Sequence, residues 1–258
     1  MQPEIDILGF ELKTFGLFFA LNFVAWGMIA SRRFRELGKP ADWAWELVIV
    51  ALAGGFVGAR LYWIVQNWDE AQEDLLGSVF SGSGLIWYGG LAGGALAVYV
   101  WAKRRQYWTP QLLDFTAVGL PVGYAIGRIG CQLSGDGDYG GASSLPWAMP
   151  FPDGTVPTTD EVHPTPLYET LIMGSVGFAL WQLRDRVRPG VLFAFYLVIA
   201  GLERFFIEFV RRNEDVAVGL TAAQLESLAL ALLGVVVVAR MRRKGPLFVD
   251  AAASPAPA

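Results

Sequence analysis

Seven apolar runs dominate the chain, covering residues 14–31, 44–66, 83–102, 110–127, 164–182, 190–210 and 220–239. At about 1.5 Å of rise per residue, each is long enough as a helix to cross a hydrocarbon core roughly 30 Å thick. The second, fourth and sixth are interrupted by Gly, Pro or Arg. With 54% hydrophobic residues and a mean hydropathy of +0.41, the expected fold is an all-α integral membrane protein of seven transmembrane helices, not a soluble globule. Residues 1–240 are expected to form a single polytopic membrane domain, and 241–258 a cytoplasmic tail that is basic, then disordered in DAAASPAPA.

Basic residues set the orientation. Arg32, Arg33, Arg35 and Lys39 follow the first run; Lys103, Arg104 and Arg105 the third; Arg184, Arg186 and Arg188 the fifth; Arg240, Arg242, Arg243 and Lys244 the seventh. The positive-inside rule puts these loops in the cytoplasm, the amino terminus outside and the carboxyl terminus inside. The opening MQPEIDILGFELK has three acids and one Lys where a signal peptide has a basic segment, so the first run is expected to remain as a span. The single Cys131 excludes an internal disulfide.

Gly54 and Gly58, Gly90 and Gly94, and Gly123 and Gly127 are each four apart, a spacing that lets helices approach closely in lipid. Trp43, Trp45, Trp68, Trp101 and Trp108 fall near the predicted ends, where indole rings anchor at the headgroups.

Three arginines depart from the loop pattern: Arg60, Arg128 and Arg204 lie within or at the ends of apolar runs and point to an anion handled at membrane depth. Arg128 opens GRIGCQLSGDGDYG, residues 127–140, a run too rich in Gly and polar residues to be expected to continue an apolar helix. Gly127, Gly130 and Gly140 permit backbone N–H groups to approach an oxyanion, with Ser134, Asp136 and Asp138 between them; an outer loop with turn glycines accounts equally for the composition. Two further segments favour the anion. HPTPLYE, residues 163–169, sets Tyr168 and Glu169 just inside a span, with Pro166 suited to a first helical turn and His163 the only histidine. In residues 201–215, Arg204, Glu208 and Arg211 are spaced four and three apart, so one helix face is expected to carry them with a positive excess unless Glu203 cancels it. The guanidinium fork matches a phosphate in two-pronged fashion.

Taken in order, GRIG with its polar Gly-rich run, HPTPLYE and RFFIEFVR resemble the phosphatidylglycerol:prolipoprotein diacylglyceryl transferases. Gly58-Ala-Arg-Leu-Tyr62 and Tyr88-Gly-Gly-Leu91 are similar to that family's second- and third-span motifs, and the resemblance runs from about residue 14 to 239. It implies an enzyme of the bacterial cytoplasmic membrane that moves the diacylglyceryl group of phosphatidylglycerol to the lipobox cysteine of a prolipoprotein signal peptide, releasing glycerol 1-phosphate. Membrane lipid is then a partner and nucleic acid is not. Arg128 and Arg204 match the family's essential arginines and are expected to hold the phosphate, with Glu208 and Arg211 shaping the site. Arg60, Gly127, Gly130, Ser134, Asp136, Asp138, Gly140, Tyr168 and Glu169 are the remaining expected substrate-binding positions. No cofactor is expected and no metal site, since one Cys and one His do not build the usual nitrogen and sulfur sets.

The chain also departs from the pattern. Tyr88 stands where the family commonly has a histidine before Gly-Gly-Leu, and a phenol is a poorer base at neutral pH than an imidazole. Cys131, Gln132, Leu133, Ser134, Gly135 and Asp136 replace the usual Asn, Phe, variable residue, Asn, Gly and Glu, and one extra residue precedes Gly140, so Asp136 and Asp138 compete for the glutamate's role. A non-catalytic phospholipid-binding relative and an anion transporter are the alternative readings.

Overall fold

The computed structural model describes residues 1–7, 9–72, 74, 77, 78 and 86–249, leaving outside that description the side chains of Ile7, Trp87 and Tyr88. The long helices are α1 (Thr14–Glu36), α2 (Asp42–Gln66), α4 (Trp87–Arg104), α5 (Pro110–Ser134), α6 (Thr165–Leu183), α7 (Val191–Ile207) and α8 (Ala222–Arg243), with the one-turn α3 (Trp68–Ala71) after α2. They lie over the seven apolar runs. Four of them, α1, α2, α5 and α8, are long and apolar enough to cross a membrane. Their large apolar side chains are widely exposed, among them Met28, Ile49, Val65 and Leu232, as lipid-facing residues are.

Three small antiparallel hairpins are not foreshadowed by the apolar pattern: β1 (Glu4–Ile7) with β2 (Phe10–Lys13), β3 (Met149–Phe151) with β4 (Thr158–Val162), and β5 (Asp215–Ala217) with β6 (Leu220–Thr221). All lie between or before helices, so the fold is mostly helical, consistent with an all-α membrane protein, and the hairpins belong to its loops.

The described residues divide into two compact units, residues 27–112 and residues 1–26 with 113–249. In the first, α2 and α4 cross with their backbones in contact. A Cβ at Gly58 would strike the Gly89 carbonyl and lie 2.8 Å from Gly93 Cα, so only glycine admits this approach. Gly54 and Gly58 thus meet Gly89 and Gly93, and Gly90 and Gly94 also lie against α2, beside Gly55. Trp101 is buried and donates to Glu46 Oε2 at 2.8 Å, packing edge-on against Trp43 at 5.7 Å, so these two rings build a core while Trp45, Trp68 and Trp108 are exposed.

In the second unit, α5 to α8 follow one another up and down. Asp114 accepts the backbone N–H of Gly190 at 2.6 Å and of Phe193 at 3.0 Å, capping α7 from the start of α5. At the same end, Arg188 donates to the carbonyls of Met241 and Lys244, closing α8. Residues 241–243 continue α8, and Val249 N–H bonds the Arg186 carbonyl at 2.9 Å; residues 250–258 lie outside the described residues. The opposite end therefore gathers the end of α5, the start of α6, the end of α7 and the start of α8.

Candidate active site

The polar residues at that second end form one cluster. α5 runs on to Ser134, seven residues past its expected end, so Gly127, Arg128, Gly130 and Ser134 are helical, contrary to the loop expected for them. Their N–H groups are spent on the helix and not on an anion cradle. Ser134 is buried, and its hydroxyl bonds back to the Cys131 carbonyl at 3.3 Å. Gly140 N–H donates to the His163 carbonyl at 2.8 Å, and a Cβ there would strike the Val210 carbonyl; this glycine is required for close packing, not anion binding.

Arg128 is the hub. Its Nη1 pairs with Asp138, its Nε lies 3.1 Å from Glu169 Oε2, and its Nη2 donates to the Tyr124 hydroxyl at 3.0 Å. Glu169, delivered by the turn at Pro164 and Pro166, is fully buried. It also faces Arg204 Nη1 at 3.7 Å and Arg211 Nη1 at 3.9 Å. Arg204 closes α7 and pairs with Glu208 at 2.7 Å. Beyond Ile207 the chain tightens into a single 3₁₀ turn, Glu208–Val210, and is extended at Arg211. Arg204, Glu208 and Arg211 thus do not share a continuous helix face. They meet because the chain turns, which brings Arg211 Nη2 to Asp138 Oδ1 at 2.6 Å.

Three guanidiniums against Asp138, Glu169 and Glu208 make the cluster formally neutral before Glu203 is counted, so the positive excess expected from the sequence is absent. Several contacts are ion pairs without hydrogen-bond geometry. Arg204 Nη1, Arg211 Nη1, Glu169 Oε2, Glu208 Oε2 and Glu203 Oε1 are buried with no hydrogen-bond partner. Such donors are costly to leave unmade, and an anion entering between Arg204 and Arg211 gains them without displacing an existing hydrogen bond.

Asp138, not Asp136, is the loop carboxylate in the cluster. Burial pushes its carboxyl upward, but Arg128 and Arg211 outweigh burial and hold it below the usual carboxylate range. Asp136 accepts the Asp138 N–H at 3.2 Å and shapes the turn. Ligand atoms of Cys131, Asp136 and Asp138 lie within 4.8 Å of one another, and the cation serving this group is Arg128, whose Nη1 is 3.7 Å from Cys131 Sγ. Tyr168 takes a different direction: its hydroxyl accepts from Trp147 Nε1 at 2.7 Å and lies 3.4 Å from His163 Nδ1. Arg60 belongs to the other unit, where its Nε donates to the Ser78 carbonyl and its guanidinium lies 4.2 Å from the Trp63 ring centre. Tyr88 sits in the first turn of α4, with its side chain outside the described residues.

Three participants, Tyr124, Asn213 and Thr221, escape the sequence reading, while Glu203 is the counter-charge weighed there. Tyr124 bridges Arg128 and Glu169, and its spacing of four from Arg128 was the available signal. Glu203 lies in the field of Glu169, Arg128, Arg204 and Arg211. Asn213 and Thr221 donate to Glu208 Oε1 at 2.6 and 2.9 Å; Thr221-x-x-Gln224 is a legible capping box, but its link to Glu208 is tertiary.

These features define a class: a multi-pass membrane protein whose polar centre is a buried arginine–carboxylate cluster at the ends of four successive helices. The profile of the prolipoprotein diacylglyceryl transferase family matches residues 4–240, and the chain belongs to that family. A phosphatidylglycerol–prolipoprotein diacylglyceryl transferase of Geobacter sulfurreducens is 34% identical over 266 residues, covering 95% of this chain and 99% of its own. Proteins of the same name from Dehalococcoides mccartyi (strain ATCC BAA-2266 / KCTC 15142 / 195) and Clostridioides difficile are 31% and 29% identical, each over 91% of this chain and 93% of theirs.

Proposed function

We propose that this chain transfers the diacylglyceryl group of phosphatidylglycerol to the thiol of a lipobox cysteine in a prolipoprotein signal peptide, releasing glycerol 1-phosphate. One observation carries the reading: Arg128 and Arg204, the residues matching the family's arginines, converge from different helices on the buried Glu169, in a chain that matches the family almost throughout. The setting is a bacterial cytoplasmic membrane, crossed seven times by one polytopic domain with the amino terminus outside. In support, Arg188 ties two basic loops to one end of α6–α8 while the cluster occupies the other.

The bond that breaks joins a glyceryl carbon to a phosphate oxygen, and its electrons leave on the phosphate. Donors held by a rigid surround at that oxygen stabilise the charge as it develops. Arg204 and Arg211 supply them through their Nη1 atoms, which face Glu169 without a hydrogen bond, and Arg128 orients Glu169 and Asp138 around them. The nucleophile is a thiolate, so the thiol proton needs an acceptor. With no imidazole at position 88, Glu203, whose buried Oε1 has no hydrogen-bond partner, takes that part. The departing phosphate monoester carries the proton away.

Purified protein given phosphatidylglycerol and a lipobox peptide should add one diacylglyceryl mass to the peptide cysteine and release an equal amount of glycerol 1-phosphate. Lipid binding without consumption would overturn transfer in favour of a non-catalytic phospholipid-binding relative, the reading that Tyr88 would allow.

A further inference from the structure

Beside the cluster, and sharing Arg211 with it, lies a cavity of about 340 Å³ lined by Gly137, Tyr139, Arg211, Arg212 and Asn213. Two of the five lining residues are arginines and none is a carboxylate. Asp138 engages one prong of Arg211, and Arg212 makes no ion pair among the described residues. The cavity is therefore cationic where the neighbouring cluster is neutral.

Its lining is held by contacts around a buried Tyr139, with Arg212 and Asn213 exposed. Tyr139 is buried, stacked on Phe151 at 4.8 Å, and its hydroxyl donates to the Val156 carbonyl at 3.0 Å. The Arg212 guanidinium lies 4.4 Å from the centre of that ring and donates through Nη2 to the Gly137 carbonyl at 3.2 Å. A guanidinium held on an aromatic face keeps its remaining N–H donors directed along its own plane. Arg211 Nη1 makes no hydrogen bond but is buried and faces Glu169 at 3.9 Å, so the donors presented to the cavity are chiefly those of Arg212. Asn213 spends its Nδ2 on Glu208 and leaves its amide oxygen to accept from a hydroxyl. The volume falls at the low end for small-molecule sites and suits a small polar anion, not an acyl chain.

We infer that this cavity binds phosphoglycerol, with the Arg212 guanidinium stacked on Tyr139 as the residue that recognises its phosphate. The inference rests on the transferase reading, which supplies the ligand chemistry: a phosphate ester carrying a short polyol, presented as the head of the bound lipid or as the released product. Transfer breaks the glyceryl carbon–oxygen bond and forms a carbon–sulfur bond, leaving the phosphate as a monoester with the thiol proton. That monoester carries more charge than the lipid head once the proton is lost, and a cationic cavity next to the reacting centre draws it off the site.

The test is calorimetric titration of the full-length protein in lipid nanodiscs with glycerol 1-phosphate, alongside inhibition of transfer by the same compound. Arg212→Gln should weaken binding and raise the inhibition constant by about tenfold, the size of one charge-assisted contact. Arg212→Lys, which keeps the charge but loses the planar fork, should fall between. Arg186→Gln should change neither. A KM for phosphatidylglycerol that rises with the inhibition constant assigns the cavity to the lipid head as well as the product; an unchanged KM assigns it to the product, and both support the site. Wild-type affinity in Arg212→Gln overturns it. Arg212-dependent binding in a protein that transfers nothing would sink the transferase reading and leave the cavity; normal transfer with Arg212-independent binding would do the reverse.

Discussion

The Tyr124 hydroxyl donates to Glu169 Oε1 while accepting from Arg128 Nη2 at 3.0 Å, so one phenol on α5 joins the cluster's most connected arginine to its fully buried carboxylate on α6. Arg128 also lies over the same ring, its guanidinium 4.9 Å from the centre. The geometry of Arg128 is thereby set from two directions.

Tyr124→Phe keeps the ring and deletes only the bridge. Leaving Glu169 short of a donor should cost about 1–3 kcal/mol, and a loss of that size at the reacting centre lowers the transfer rate roughly ten- to hundredfold. The fall is expected in kcat more than in KM for the lipid. Wild-type kcat in folded Tyr124→Phe would remove the bridge from the mechanism.

Much of this centre was legible because periodic and motif signals are local. The seven helices follow from the apolar runs, and Arg128, Glu169, Arg204 and Glu208 stand out because charge inside an apolar run is rare. What escaped depended on chain path. The run beginning at Gly127 looked non-helical from its glycines, yet α5 continues to Ser134, with Gly130 packed closely on Phe18 of α1. The choice between Asp136 and Asp138 turned on a loop geometry that has no periodicity to read. Charge neutrality was invisible for the same reason: Asp138 and Glu169 reach Arg211 only through tertiary contact.

Asp138 makes stability depend on acid. Burial raises its carboxyl, but Arg128 and Arg211 more than reverse this, so its native value lies below the unfolded one. The stabilisation is fully present above the unfolded value of about 3.9 and is lost as pH falls through the depressed native value. The thermal midpoint of the detergent-purified protein should hold down to about pH 5 and fall below about pH 4. Asp138→Asn should start lower at neutral pH and decline less across that acid window. An unchanged acid slope in the variant would show that Asp138 does not carry it.

Tyr88 is tested through its hydroxyl. Tyr88→Phe should lower turnover with lipid binding nearly intact, and Tyr88→His, restoring an imidazole, should match or exceed wild type. Equal turnover in Tyr88→Phe and wild type would exclude the phenol from the chemistry.

Glu203→Gln separates a proton acceptor from a packing residue. If Glu203 receives the thiol proton, kcat should fall while KM changes little. The deficit should shrink as pH rises through the thiol's ordinary value of about 8.5, because solvent then forms the thiolate. A deficit constant across that range would mean that Glu203 only supports the fold.

The decisive comparison concerns Arg128 and Arg204. Both face Glu169 from different helices; Arg128 also donates to Asp138 and Tyr124, and Arg204 forms ion pairs with both Glu208 and Glu169. Lysine at either position keeps one charge but cannot serve two partners at once. Breaking a buried charged hydrogen-bond pair costs about 2–5 kcal/mol, equivalent to tens- to thousands-fold in rate. Arg128→Lys and Arg204→Lys should lose transfer on that scale in membranes containing equal amounts of folded protein, while the exposed Arg186 should tolerate Lys or Gln. Since both arginines also bind carboxylates of the fold, thermal stability must be read in parallel. A loss of transfer at near-native stability assigns Arg204 to the phosphate and Arg128 to orienting the carboxylates around it, whereas wild-type transfer in both lysine variants would show that the cluster holds the helix ends together and the lipid phosphate is met elsewhere.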